Sequence, residues 1–316
     1  NYYDLARADD FDRLFGGLKI GQNPTPLHNR YFILKLNFSL VDPQGDAEAI
    51  AASLHHHVNN AIEAFAVRYR EVLKTPIDCH PTDSLWSLGR LLTAISTTPY
   101  KLYVLIDEYD NFANEVMISP LHGTHRYEEL VQGEGTIKTF FKALKAGAEG
   151  RGIDRVFLTG VSPVVLSDIT SGYNVAEDLS NDPDYHDLCG FTETELRAAL
   201  EAVATARRLE ADQTAIALDL MRDFYNGYSF SSRQEEERIY NPTLALYFLK
   251  HLERHGVYPS RLLDDNLAMD RNRIQYVARL PHGETLVNRA LNEDEPLAVA
   301  QLVNRFGVQD MLTAPR

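Results

Sequence analysis

Apolar positions along the chain fall into two periods. Leu102 to Ile106 form an unbroken apolar run that stops at the carboxylates Asp107, Glu108 and Asp110. A run this short predicts a strand buried on both faces within Lys101 to Asp110. Tyr31 to Leu40, with Lys35 and Asn37 alternating against apolar neighbours and Asp42-Pro43 closing it, predicts another strand. Arg155 to Gly160, R-V-F-L-T-G, predicts a third, with Thr159 at its tip and Ser162 and Asp168 just beyond. Between these runs the spacing changes to three or four. Ile50, Leu54, Val58, Ile62, Phe65 and Tyr69 predict one long helix within Asp46 to Leu73, and Leu85, Leu88, Leu92 and Ile95 a second. Ile137, Phe140, Phe141 and Leu144, opposite Lys138, Lys142 and Lys145, predict a helix from Thr136 that Gly147 stops. Tyr2 to Phe15 reads as two short helical pieces halting at Gly16-Gly17, Asn111 to Met117 as helical, and His122 to Gly135 as an exposed loop.

Past Cys189 the pattern is helical throughout. Thr192 and Glu195 form a capping box before Leu196, Leu200 and Val203. Ile216, Leu220, Met221 and Phe224 mark the apolar face of a helix ending at Asn226-Gly227. Asn241-Pro242 opens another helix, with Asn as cap and Pro at its first position. Further apolar helical stretches lie near 286–291 and 297–306. The expected architecture is therefore α/β followed by an α-helical domain, with the boundary between 1–189 and 190–316.

A chain of 316 residues usually divides into more than one core, and 44% hydrophobic with 24% charged residues is ordinary globular composition. The formal charge of −14 disfavours non-specific attraction to nucleic acid or to an anionic membrane. No apolar run is long enough to span a bilayer, and no secretory signal is visible. Cys79 and Cys189 form no C-x-x-C, so a reducing intracellular compartment, cytoplasmic or nuclear, is expected. The chain opens on Asn1-Tyr2-Tyr3-Asp4 rather than Met, which reads as a segment of a longer protein.

Ligands of open parallel sheets sit outside the carboxyl ends of the strands, which draws attention to the acids after Ile106. In P-loop nucleoside-triphosphate hydrolases an acid at such a tip holds Mg²⁺ and a neighbouring group orients the attacking water, and Asp107 and Glu108 fit those two roles. The bland alternative is a buried strand meeting a solvated acidic turn. If the strand ending at Thr159 lies parallel beside the one ending at Asp107, Thr159 or Ser162 could bond a phosphate or the water; equally, both could simply cap a turn. No G-x-x-x-x-G-K-[ST] occurs anywhere in the chain, so the phosphate cradle is missing from it. The consecutive His55, His56 and His57 point in different directions on a helix and cannot share one metal. His251 and His255 share a face, but Leu252 stands where a zinc protease needs Glu. Arg151 and Arg155 are possible phosphate partners or plain surface cations.

Taken together and in order, several segments resemble one group, the bacterial and fungal AAA-ATPase-like proteins whose ATPase module is often followed by a PD-(D/E)XK nuclease-like domain. They are F-D-R-L-F-G-G-L-K-I-G at Phe11 to Gly21, V-L-I-D-E-Y-D-N at Val104 to Asn111, F-L-T-G-V at Phe157 to Val161, G-F-T-E-T-E-L at Gly190 to Leu196, F-Y-N-G-Y-S-F at Phe224 to Phe230, and Y-N-P at Tyr240 to Pro242. The resemblance implies a three-layer, parallel-sheet P-loop core, incomplete at its N-terminus, followed by a helical lid. It implies ATP and Mg²⁺ as cofactors, Asp107 in the Mg²⁺ shell with Asp110 beside it, Glu108 as the water-orienting base, and Thr159 with Ser162 at the sensor position. Nucleotide is the implied partner, and nucleic acid would be met only through domains outside this chain. The family's phosphate-binding loop precedes the segment matching Asn1 to Asp4, so the chain alone is expected to be inactive. A non-hydrolysing interaction or regulatory scaffold is the alternative, possibly serving an attached nuclease-like domain.

Overall fold

The computed structural model describes residues 1–111, 129–130, 135–160, 175–231, 233, 237–263 and 283–292. The chain separates into two compact units, Asn1–Ala176 with Asn272–Arg316, and Glu177–Arg271.

The first unit is built on a parallel sheet. After a 3-10 turn over Leu5–Asp10 come the short helices α1 (Phe11–Phe15) and α2 (Lys19–Gln22), and Gly16 caps α1 as its position suggests. Then follow β1 (Tyr31–Asn37), α3 (Ala47–Arg68), α4 (Ser84–Ser96), β2 (Lys101–Asp107), α5 (Thr136–Ala148) and β3 (Ile153–Leu158). The strands lie in the order β1-β2-β3, both pairs parallel, with Leu34 opposite Val104 and Val104 opposite Val156. Side chains alternate across such a sheet. Phe32, Leu34, Leu36, Leu102, Val104 and Ile106 all point to one face and are buried in a cluster with Ile50, Leu54, Leu88, Ile95, Phe140 and Leu144 from α3, α4 and α5. On the other face Tyr103 and Leu105 are half-buried and Phe157 is exposed.

Two strands end earlier than the sequence alone suggests. β1 stops at Asn37, three residues early, because the Asn37 side chain accepts from Ser39 N and opens a 3-10 turn over Phe38–Leu40. β2 stops at Asp107 because Glu108 turns into the left-handed region, φ +52°. The helix expected over Asn111 to Met117, the loop from His122 and the stretch 297–306 lie largely or wholly outside the described residues.

The N-terminal segment is pinned by a buried acid. Asp4 accepts from the Ala6 amide, from the Tyr69 hydroxyl and from Arg68, while Tyr69 itself accepts from Ile33 N. Burial pushes the Tyr69 phenol well above its ordinary value.

The second unit contains α6 (Glu193–Arg207), α7 (Ala211–Tyr225), the antiparallel strands β4 (Asn226–Tyr228) and β5 (Ile239–Tyr240), and α8 (Pro242–His255). Thr192 and Glu195 close the expected capping box, and Asn241 caps α8 through the amides of Thr243 and Leu244. The core gathers Leu196, Leu200, Met221, Tyr225, Tyr240 and Phe248. The unit is therefore helical with a small added sheet. Its start lies at Glu177 rather than after Cys189, because the intervening residues bond within it: His186 links to Glu237 O and to Phe230 N, and Phe191 bridges Tyr240. Since the His186 Nδ1 accepts from the Phe230 amide, Nε2 carries the proton donated to Glu237 O. The face of α7 is also rotated from expectation. Ile216 and Phe224 are exposed, while Ala217, Leu218, Met221 and Tyr225 are buried.

A further helix, α9, spans Gly283–Asn292. Among the described residues no helix is long and apolar enough to cross a membrane.

Candidate functional site

The tip of β2 joins the tip of β3. Thr159 N donates to Ile106 O at 2.8 Å and Tyr109 N donates to Thr159 O at 3.1 Å, so Thr159 is gripped by the residues on either side of Asp107 and Glu108. This grip brings the Thr159 hydroxyl onto Asp107, where it donates to Oδ1 at 2.6 Å. The Glu108 amide donates to the same oxygen at 3.0 Å. Among the described residues the other oxygen of Asp107, Oδ2, has no hydrogen-bond partner, and the residue is exposed. Asp107 stands across from Asn37 at the end of β1, so two strand ends flank it.

Glu108 is half-buried, and its left-handed backbone is uncommon for a residue with a Cβ. The turn it begins closes when Asn111 N donates to Glu108 O at 3.1 Å. That turn sends Tyr109 and Asp110 inward, to 7% and 1% exposure. Gly160 admits them: a Cβ there would lie 2.4 Å from Asp110 Oδ1 and 2.5 Å from the Tyr109 ring. The acids thus divide, with Asp107 presented outward and Asp110 enclosed beneath. Ser162 and Asp168 lie outside the described residues.

The description "Predicted AAA-ATPase", a family of AAA-ATPase-like proteins, matches residues 1–170. The chain belongs to the AAA-ATPase-like family. The matched span takes in β1, β2 and β3 and with them the whole Asp107 tip. The chain is also similar to a protein of Azotobacter chroococcum mcd 1, described as an uncharacterized protein in the vnfD 5' region, with 28% identity over 151 residues. That alignment takes in 48% of this chain and 25% of the relative, so the chain spans about a quarter of the curated relative it matches. No solved structure matches the chain.

Family membership raises the question of whether this AAA-ATPase-like tip suits a metal. Among the described residues no three or more His, Cys, Asp or Glu side chains converge to hold one. The described residues of the tip therefore form no dedicated protein cage. A single outward carboxylate with one open oxygen suits Mg²⁺, which keeps several waters and takes one or two carboxylates plus substrate phosphates. Asp107 fits that role.

Other candidates disperse. His55 Nδ1 lies 2.9 Å from Ser84 Oγ, His56 pairs with Asn60, and His57 Nε2 accepts from Asn37 N at 3.3 Å, so the three rings diverge as their spacing requires. Burial lowers the pKa of His55 and His57, which suits neutral rings in these bonds. His251 and His255 rings are 4.6 Å apart, but His251 Nδ1 is taken up with Val257 O. Arg155 stands opposite Tyr103, four residues before Thr159 and therefore about 13 Å down the strand from the tip. A cavity of about 590 Å³ bordered by Leu5, Phe11, Asp12, His28, Arg30 and Tyr100 shares no residue with the tip. Its Arg30 and Tyr100 precede β1 and β2, so this open pocket lies by the amino ends of the strands rather than at the carboxyl ends where ligands of parallel sheets sit. Sequence reasoning missed Asn37 and Gly160. The N-F-S at 37–39 was a legible side-chain cap, and a Gly directly after Thr159 was a legible sign of close approach.

Proposed function

We propose that the β2 tip is the cation-holding and water-orienting half of an ATP-hydrolysing site, and that the protein is a Mg²⁺-dependent ATPase. The observation that supports this most is the pairing of Asp107 and Glu108 at the carboxyl end of the middle strand of a parallel sheet, with Thr159 of the neighbouring strand locked beside them. Asp107, through Oδ2, would hold a nucleotide-bound Mg²⁺. When bound, Mg²⁺ would supply positive charge to neutralise what develops on the phosphates. Glu108 lies one residue on and would hold the attacking water and accept its proton. Catalysis of this kind rests on positioning and electrostatics rather than on a covalent intermediate.

The amides that cradle phosphate are not encoded between Asn1 and Arg316. They would come from another part of the protein, alongside β3, which pairs on one side only among the described residues. The unit bearing the sheet would be the ATPase core and the helical unit its lid domain. Without the cradle the chain should bind nucleotide weakly and turn over little.

Isothermal titration of ATP with Mg²⁺ tests this, using the Asn1–Arg316 chain and the longer gene product that includes the sequence ahead of Asn1. Micromolar binding by the longer protein alone is expected. Equal micromolar binding by both would contradict the role given to the absent loop.

A further inference from the structure

The sensor position implied for Thr159 supposes a hydroxyl free to meet phosphate or water. The hydroxyl is instead engaged. Its only proton goes to Asp107 Oδ1 at 2.6 Å, a short charge-assisted bond, and the Glu108 amide fills the same oxygen at 3.0 Å. Two donors on one oxygen fix the plane of the carboxylate. Among the described residues Oδ2 alone is left without a partner, on an exposed side chain. Thr159 cannot drift away from this bond easily, because its own amide and carbonyl are bonded to Ile106 and Tyr109 on either side of the pair. Gly160, which has no Cβ, leaves room beside Thr159 for Tyr109 and Asp110.

We propose that Thr159 is the positioning residue that makes Asp107 a one-oxygen cation ligand, acting through the carboxylate rather than on the phosphate. This rests on the proposed cation role of Asp107. A bidentate carboxylate would occupy more of the Mg²⁺ shell and displace water or phosphate from it; closing Oδ1 prevents that. Partners of a ligand that set its orientation typically matter about 10–100-fold for metal affinity. The hydroxyl of serine can make the same bond, whereas valine keeps the shape of threonine without the donor.

The test uses Mn²⁺ alone as the probe, titrated into the Asn1–Arg316 chain and followed by electron paramagnetic resonance of the free ion. Thr159→Val should weaken Mn²⁺ binding by about tenfold or more and Thr159→Ser should keep it near wild type. Asp107→Asn should remove the site. Carbon-13 resonances of the aspartate carboxyls give a second readout that needs no metal. The Asp107 signal, assigned by its loss in Asp107→Asn, should move in Thr159→Val and return in Thr159→Ser. An unmoved Asp107 signal, or Mn²⁺ binding by Thr159→Val equal to wild type while Asp107→Asn binds none, overturns the role of Thr159 and leaves the cation site standing. Mn²⁺ binding unaffected by Asp107→Asn, or absent from the wild-type chain, overturns the cation role itself, and the positioning role with it.

Discussion

Gly160→Ala is the most economical probe of how tightly the site is assembled. The added Cβ would sit 2.4 Å from Asp110 Oδ1 and 2.5 and 2.7 Å from two carbons of the Tyr109 ring. Both side chains are buried, at 1% and 7% exposure, so neither can swing into solvent to make room. Backbone movement at the β2–β3 tip must absorb the clash, and overpacking of this sort costs about 1–3 kcal/mol. At roughly 2–4 °C per kcal/mol for a unit of this size, the expected fall in Tm is about 2–12 °C. The single tryptophan, Trp86, lies on α4 of the same unit, so its fluorescence reports this unit's unfolding separately from the helical one. Gly89→Ala serves as the opposing control. Gly89 is inside α4 and a Cβ there meets nothing within 4 Å, so alanine should stabilise by about 0.5–1 kcal/mol. If Gly160→Ala melts with wild type while Gly89→Ala shows the expected gain, the close packing of Gly160 against Asp110 and Tyr109 is refuted.

Three further outcomes follow from the same geometry. Glu108→Gly should relieve the left-handed backbone at φ +52° and stabilise the first unit by about 0.5–1 kcal/mol in urea unfolding, while Glu108→Gln leaves stability unchanged; equal stability of the glycine and glutamine variants would count against strain at this position. Asp4→Ala strands the Tyr69 hydroxyl and Arg68 at once and should cost about 2–4 kcal/mol by the same Trp86 signal, an effect under about 0.5 kcal/mol being contrary to a pinned N-terminal segment. In the second unit, hydrogen bonds from Arg222, then Arg197 and Tyr240, hold the Glu193 carboxyl down to about 2 from 4.5. A depressed acid stabilises the fold above its unfolded pKa and loses that contribution as the pH falls through the folded one. Calorimetry should therefore show Glu193→Gln less stable than wild type at pH 6, the gap closing from about pH 4.5 down to about pH 2; a gap that persists at the acid end would contradict the ion-pair origin.

Legibility in the sequence followed the range of the interactions involved. β2 was plain because an unbroken apolar run ending in acids is a local signal, and the capping box at Thr192 and the Asn241-Pro242 start are local too. Where β2 ends was not legible, because Glu108 turns left-handed only where Thr159, far along the chain, bonds both Ile106 and Tyr109. Periodicity likewise could not choose the buried face of α7. Ile216 and Phe224, expected in the core with Leu220 and Met221, are exposed, while Ala217 and Tyr225 join Met221 in it, the Tyr225 hydroxyl reaching Leu262 O at 2.6 Å. The approach of Thr159 to Asp107 depended on the strands being parallel neighbours, a condition the sequence could pose and only the sheet could meet. That this hydroxyl would be spent on the carboxylate was beyond sequence reasoning altogether.

In the proposed ATPase, Glu108 orients the attacking water beside a cation held by Asp107. ATP turnover and ATP binding by the longer gene product with Glu108→Gln, which keeps the size of the side chain and removes its charge, decide between this and a solvated acidic turn. Turnover lost with ATP affinity intact is the predicted result. Turnover retained at the wild-type rate would contradict the claim.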